Sequence, residues 1–290
     1  MPLPAFDVRL FQIATKPLDP ADWLDPDAGM AAQLAEKARL RQSHLPEIFA
    51  ELPDSRPAQT ELLALLADYL PSRFPHLWQR RDESLLVVPT GDLVPLAGIP
   101  LLQAAKFVQD DLLILSRAEA GWRLTAASLS FPSSWVLSEK IGKVLDAIHE
   151  PVPGFGPTTR PAQLMARMFD AMRPETPLIR WNWSLYGDQR LFHPDVSGPD
   201  TPRFGTGDRA DPVNLRIERQ TLRKLPQTGA VAFTIRISLV DLDTFAGFSD
   251  ARILAASLHA QLLALTPEQL GYKGLTRDRD RVLSRLAGIM

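Results

Sequence analysis

A chain of 290 residues, 45% hydrophobic and 23% charged, is long enough to bury one large core or two small ones. Its net charge of −2 supplies no general basic field, which argues against nucleic acid as a partner. It contains no cysteine, and this excludes disulfides, cysteine-ligated zinc or iron–sulfur clusters, thiolate-ligated iron and any cysteine nucleophile. No basic stretch leads into an apolar one at the start, and no apolar run reaches membrane-spanning length. The expectation is a soluble cytoplasmic protein with no membrane partner.

In chain order, 1–28 reads as extended and turn-rich, with five prolines and the Trp23-Leu24 pair as anchors to a core. Helical spacing of Met30, Leu34, Ala38 and Arg41 predicts a helix over 28–42, and 43–52 a helical turn or short helix. A broad apolar face of Leu62, Leu63, Leu66, Tyr69 and Leu70 predicts a further helix that Pro71 ends. The aromatic stretch 73–78 reads as irregular, and a run punctuated by proline and glycine extends to Pro100.

The next segment, 108–155, organises the rest. Val108, Leu112, Ile114 and Leu115 form one β-rich run, and 122–129 a second across Glu119-Ala120-Gly121, so the two read as an antiparallel hairpin. Pro132 stops the ladder, and Ser133 and Ser134 are N-cap candidates for a helix over 134–149. Leu137, Ile141, Val144, Leu145 and Ile148 give that helix one apolar face, and Pro151 ends it near His149. A second helix is expected over 161–172, then an alternating strand over 178–186, LIRWNWSLY. A long polar loop with Pro194, Pro199, Pro202 and Pro212 leads to two more strands, 215–223 and 230–240, across a turn at 225–229. The last fifty residues return to helix, with a stripe at Ile253, Leu254, Leu258, Leu262 and Leu265 and a shorter one over 279–289.

The order β-β-α-α-β-β-β is a PAS-type arrangement. It predicts an α+β fold, a PAS-like antiparallel sheet with helices on one face, flanked by N- and C-terminal helical segments. The expected divisions are 1–100 packed on the core, a core of 101–242, and C-terminal helices over 243–290.

Few residues stand out chemically. His149, on the edge of an apolar helical face, reads either as a metal or haem axial ligand or as a cation-capable cap at a helix C-terminus. Arg219 shares a strand face with Leu215 and Ile217, so it requires an anionic partner, either a ligand carboxylate or an internal acid; a register slip would turn Gln220 inward instead. In Trp181-Asn182-Trp183 the tryptophans share one face, and Asn182 shares the other with Arg180 and Ser184. Trp183 reads as core or as a wall for a cofactor, and Asn182 as a residue able to orient a ligand. The other histidines, including His193, form no zinc spacing, and Gly154-Phe155-Gly156 lacks the rest of a phosphate loop.

The blocks VQDDLLIL, LSFPSSW, EKIGKVLDAIHEPVPGF, NW and RIERQTLRKLPQTGAVAFTIR, with ADWL and ELLALLADYLPSRFPHLW before them, resemble the haem-dependent oxidative N-demethylase family over nearly the whole chain. The resemblance implies a PAS-like domain binding b-type haem. It would be the oxygenase subunit that uses O2 to remove a methyl group from a small secondary amine and releases formaldehyde. Electrons would come from NADPH through a separate flavin and iron–sulfur partner. It further implies that His149 is the proximal iron ligand and metal site. Arg219, Gln220 and Asn182 become catalytic candidates, and Arg219 and Trp183 candidates for holding the cofactor. The sequence departs from the pattern at Ser130, where relatives carry a cysteine. The alternative implied by the same fold is a non-catalytic haem sensor or carrier subunit.

Overall fold

The structure is a computed structural model and describes residues 10–195 and 203–290. A short edge strand, β1 (Lys16–Pro17), precedes helices α1 (Met30–Ser43) and α2 (Leu45–Ile48), strand β2 (Phe49–Glu51) and the long helix α3 (Arg56–Arg73). The helix α3 runs through Pro71 rather than ending there, because the proline sits in the last turn, where only one intrahelical bond is lost. Three short strands follow, β3 (Trp78–Arg81), β4 (Ser84–Val87) and β5 (Asp92–Pro95), which form a small antiparallel sheet of their own. Sequence periodicity missed this sheet, since four-residue strands are too short to show alternation.

Helix α4 (Pro100–Ala104) leads into the expected hairpin, β6 (Asp111–Ala118) and β7 (Gly121–Ser128). Gly121 has φ +129, a conformation that favours glycine, and so closes the tight turn. After α5 (Leu145–His149) and α6 (Arg160–Ala171) come β8 (Leu178–Tyr186), β9 (Asn214–Lys224) and β10 (Val231–Asp241). The chain finishes on α7 (Ala251–Leu263), α8 (Pro267–Tyr272) and α9 (Arg279–Ala287). The middle of the expected loop, 196–202, lies outside the described residues, as does the start of the N-terminal segment.

The hairpin and the last three long strands join one antiparallel sheet in the order β1-β8-β9-β10-β6-β7-β2. The class is therefore α+β. Both helices between the hairpin and β8 lie on one face, as the element order implied, where Leu145, Met165 and Phe169 cluster with Leu115, Leu222 and Val231. The flanking segments cover the opposite face. Leu62 and Leu66 of α3 pack there with Leu112, Ile114 and Ala232, and Leu254, Leu258 and Leu262 of α7 pack with Trp183, Leu215 and Ile217. Helix α1 crosses the start of β6, placing Leu34 in one cluster and Leu40 in the other. Buried Lys37 fixes this crossing, donating to the carbonyls of Val108 (3.1 Å) and Asp110 (2.6 Å) beside the carboxylate of Asp111.

The expected helix over 134–149 is a correction. Only its last turn, α5, is α-helical, and a single 3-10 turn spans Leu137–Glu139. The intervening backbone serves β7 instead. Leu124 N donates to Lys143 O at 3.1 Å, Gly142 N donates to Leu124 O at 2.8 Å, and Gly142 takes φ +79 to make the approach. The apolar stripe still faces inward, with Leu137 and Leu145 buried, so the pattern was read correctly and its local conformation was not. A strand edge with unpaired carbonyls outweighed helical propensity there.

Along β8, past the short β1, the outward carbonyls are met by cations rather than by another strand. Lys273 donates to Trp183 O and Arg203 to Leu185 O. No helix among the described residues is long and apolar enough to cross a membrane.

Candidate functional site

The inner face of the sheet, the one that carries α5 and α6, is polar along β8 and β9. Register sets which residues share it: Arg180 pairs with Gln220, Asn182 with Glu218, Ser184 with Arg216 and Tyr186 with Asn214. Since side chains alternate, Trp181, Trp183, Ile217 and Arg219 point to the opposite face.

Glu218 is the hub. Its carboxylate accepts from Ser133 Oγ, from Asn182 Nδ2 at 3.2 Å and from Gln220 Nε2 at 2.7 Å. Burial acts to raise its pKa, but the Ser133 bond, the Arg216 charge, the Asn182 bond and the Lys273 charge prevail and hold it below the usual carboxylate range. Arg216, fully buried, ties this hub to the Phe131–Ser133 segment through Phe131 O at 2.7 Å and Ser133 Oγ at 3.0 Å. Tyr186 stacks on His193 with ring centroids 4.2 Å apart and shares a hydrogen bond with Ser134 Oγ at 2.9 Å.

His149 ends α5 against this face. Its Nδ1 lies 2.9 Å from Leu145 O, one turn back, which fixes that nitrogen as the N–H donor and leaves Nε2 with the lone pair. Burial pushes the imidazole pKa down; the carbonyl bond opposes this, and the charges of Arg180 and Lys140 add to the lowering. The ring is thus neutral at neutral pH, the state a metal ligand requires. Phe155 stands beside it, ring centroids 6.2 Å apart.

Arg180 lies on the same face. Its Nε is buried with no hydrogen-bond partner, and burial depresses the guanidinium's pKa, with Glu218 as the opposing charge. Glu218 is also a counter-charge for Arg216 and Lys273, so Arg180 shares its acid with two other cations. A cation that shares its acid with two others can accept an anion from outside the chain.

The sequence-derived candidates divide accordingly. Asn182 and Gln220 share the inner face and meet at Glu218, and His149 lies against the same face near Arg180. Arg219 lies on the far face, where Nη1 donates to Trp23 O at 2.9 Å and Nη2 to Asp22 O at 2.5 Å. Trp183 is also there, 1% exposed, with Nε1 donating to Gln261 Oε1 at 2.9 Å and the Lys273 ammonium 5.4 Å from its ring. The sheet therefore separates Arg219 and Trp183 from His149. Arg180, Arg216 and Glu218 were not singled out from the sequence, although charged residues on the alternating faces of two strands were the available signal. No cluster of three or more metal-ligating carboxylates and histidines occurs among the described residues.

A family model for the haem-dependent oxidative N-demethylase, alpha subunit-like, matches residues 14–283. The chain belongs to that family. The family is haem-dependent, and the inner face fits such a group on two counts. One is an imidazole whose Nδ1 is anchored and whose Nε2 is available. The other is an arginine whose buried nitrogen lacks an acceptor that a propionate would supply.

Proposed function

We propose that this chain is the haem-binding oxygenase subunit of an oxidative N-demethylase and acts on a small secondary methylamine. The observation that carries the reading is the pairing of His149 and Arg180 on one partly buried face, an anchored neutral imidazole beside a cation that shares its acid, Glu218, with Arg216 and Lys273. His149 Nε2 would hold the iron and Arg180 a propionate. When bound, the haem supplies dioxygen activation, so that R–NH–CH3, O2, two electrons and two protons give R–NH2, formaldehyde and water.

The chain's own part is binding and orientation. Glu218, held ionised, retains acceptor capacity beyond its three protein donors and can take an amine N–H. Asn182 on β8 and Gln220 on β9 both donate to its Oε2 and Ser133 to its Oε1, so the substrate's nitrogen is positioned rather than merely attracted. Phe155, Ile148 and Phe233 provide apolar surroundings for the methyl group. Electrons would arrive from NADPH through a separate flavin and iron–sulfur partner, since these residues include no thiolate for a cysteine-ligated cluster.

Protein expressed with ample haem precursor should show a Soret band. With a reducing system, O2 and a panel of secondary N-methylamines, it should release formaldehyde in proportion to amine consumed. A Soret band without formaldehyde above a free-haem control would leave a sensor or carrier, and no Soret band would remove the reading altogether.

A further inference from the structure

Away from the inner sheet face, α1 and α4 meet over a surface hollow of about 440 Å3. Its apolar wall is Ala38, Leu45, Ile99 and Leu102, and its two cations are Arg41 and Lys106. That volume lies within the range of small-molecule pockets, roughly 300–1,000 Å3. Leu45 is 39% exposed, a large apolar side chain left facing the opening.

The cations are placed oddly for a purely structural role. Arg41 Nη1 is buried and has no hydrogen-bond partner. Neither Arg41 nor Lys106 makes an ion pair with a described residue. They are close enough that the Arg41 charge adds to the burial that lowers the Lys106 pKa, and Asp92, the acid that acts on Arg41, forms no ion pair with it. Gln103 lines the same hollow; its Nε2 is spent on Ala97 O at 2.5 Å, while its Oε1 is buried without a donor. An arginine whose stem merely coats apolar surface would carry its head into water. Here part of the head is withdrawn from water and unpaired, beside a second cation, over an apolar wall.

We infer that this hollow binds a small amphiphilic carboxylate. The carboxylate accepts from Arg41 and Lys106, and a short alkyl or aryl tail lies on Ala38, Leu45, Ile99 and Leu102. The site shares no residue with the His149 face and does not depend on the function proposed above.

The probe is octanoate, titrated calorimetrically into the full chain as purified, with any Soret absorbance followed in parallel. Saturable binding is expected with Kd on the order of 0.1–1 mM, a modest efficiency for a ligand of about ten non-hydrogen atoms. Acetate, which lacks the tail, and octylamine, which has the wrong charge, should each bind at least about tenfold more weakly. Arg41→Gln and Lys106→Gln should each weaken octanoate about tenfold, as loss of a charge-assisted hydrogen bond does. Ala38→Trp, which fills the hollow, should remove binding with the thermal midpoint retained. Lys106 is half-exposed, so its variant serves if Arg41→Gln does not fold. The inference is overturned by absence of saturable heat up to about 10 mM. It is overturned equally by wild-type affinity in the charge variants that fold, or by an octanoate-induced Soret shift that persists in them.

Discussion

Asn182 on β8 and Glu218 on β9 are direct cross-strand partners, and the Asn182 amide donates to Glu218 Oε2 at 3.2 Å. Together with Gln220 and Ser133, Asn182 fixes the orientation of a buried carboxylate whose charge the surrounding arginines and Lys273 sustain. Glu218→Gln keeps the shape and removes the charge. If Glu218 receives the amine, the variant should raise KM at least tenfold with the haem spectrum unchanged. Its stability should fall by about 1–3 kcal/mol, since Arg216 and Lys273 lose their shared counter-charge. Chemical denaturation and formaldehyde assays across amine concentration separate the two effects. An unaltered KM would assign Glu218 a purely structural role.

Two arginines on opposite faces give a paired test. Arg180→Met removes a cation with an unpartnered buried nitrogen, so the haem-free protein should be as stable as wild type or slightly more so, whereas haem should dissociate about tenfold faster. Arg219→Ala removes two hydrogen bonds that hold the Asp22–Trp23 backbone against the sheet. It should cost about 1–3 kcal/mol in haem-free and haem-loaded protein alike. Haem transfer to an apo-globin acceptor and thermal melts of both forms provide the readouts. A selective loss of haem in Arg219→Ala, with Arg180→Met unaffected, would reverse the assignment.

The contrast between these arginines shows how far the sequence could be read. Strand alternation placed Arg219 correctly with Leu215 and Ile217, but alternation does not say which face meets α5 and α6. That depends on the pairing of five strands distant in sequence. The same alternation had put Arg180 with Asn182 and Ser184, opposite the two tryptophans. The paired tryptophans drew the eye, yet they are core for α7–α9. His149 was legible because Pro151 and the stripe from Leu137 to Ile148 bound its position. The conformation of 134–144 was not legible, because it answers to the open edge of β7 and not to its own propensity. Glu218 was passed over because an acid between Ile217 and Arg219 looks like any exposed strand residue until Ser133, Arg216 and Asn182 converge on it.

His193 offers a pH test independent of cofactor. Burial, with the Arg216 charge next, pushes its pKa down to about 4, against Asp188 and the Arg190 carbonyl. Unfolded, it would protonate near 6.5. Between those values the unfolded state binds the extra proton, so this group's contribution to stability is intact above about pH 6.5 and declines as pH falls towards 4. His193→Gln removes the penalty. The variant should gain about 1–2 kcal/mol on wild type between pH 7 and pH 4.5, after allowance for solvent screening. Urea denaturation of both proteins at several pH values gives that difference directly. Other groups, such as Asp111, whose pKa burial raises to about 6, cancel in the comparison. A difference independent of pH would mean that His193 titrates normally in the folded protein.

His149 carries the strongest expectation. Its Nδ1 is committed to Leu145 O, so Nε2 is the nitrogen left to ligate. Burial and the Arg180 charge lower its pKa, so the ligand protonates at a lower pH than an ordinary histidine. Haem retention should therefore persist to lower pH than an unperturbed histidine ligand would allow, and decline once the imidazole protonates. In Arg180→Met one source of that lowering is gone, so the decline should begin at higher pH. His149→Ala should lose stable haem or shift the Soret band, and added imidazole should restore part of the wild-type spectrum by filling the vacated position. The substitution should leave the fold intact, since the side chain's one hydrogen bond is to a carbonyl within its own helical turn. A His149→Ala protein that keeps the wild-type spectrum and amine oxidation would reduce His149 to a helix end and move the search for the ligand to His193, on the same face beside Tyr186.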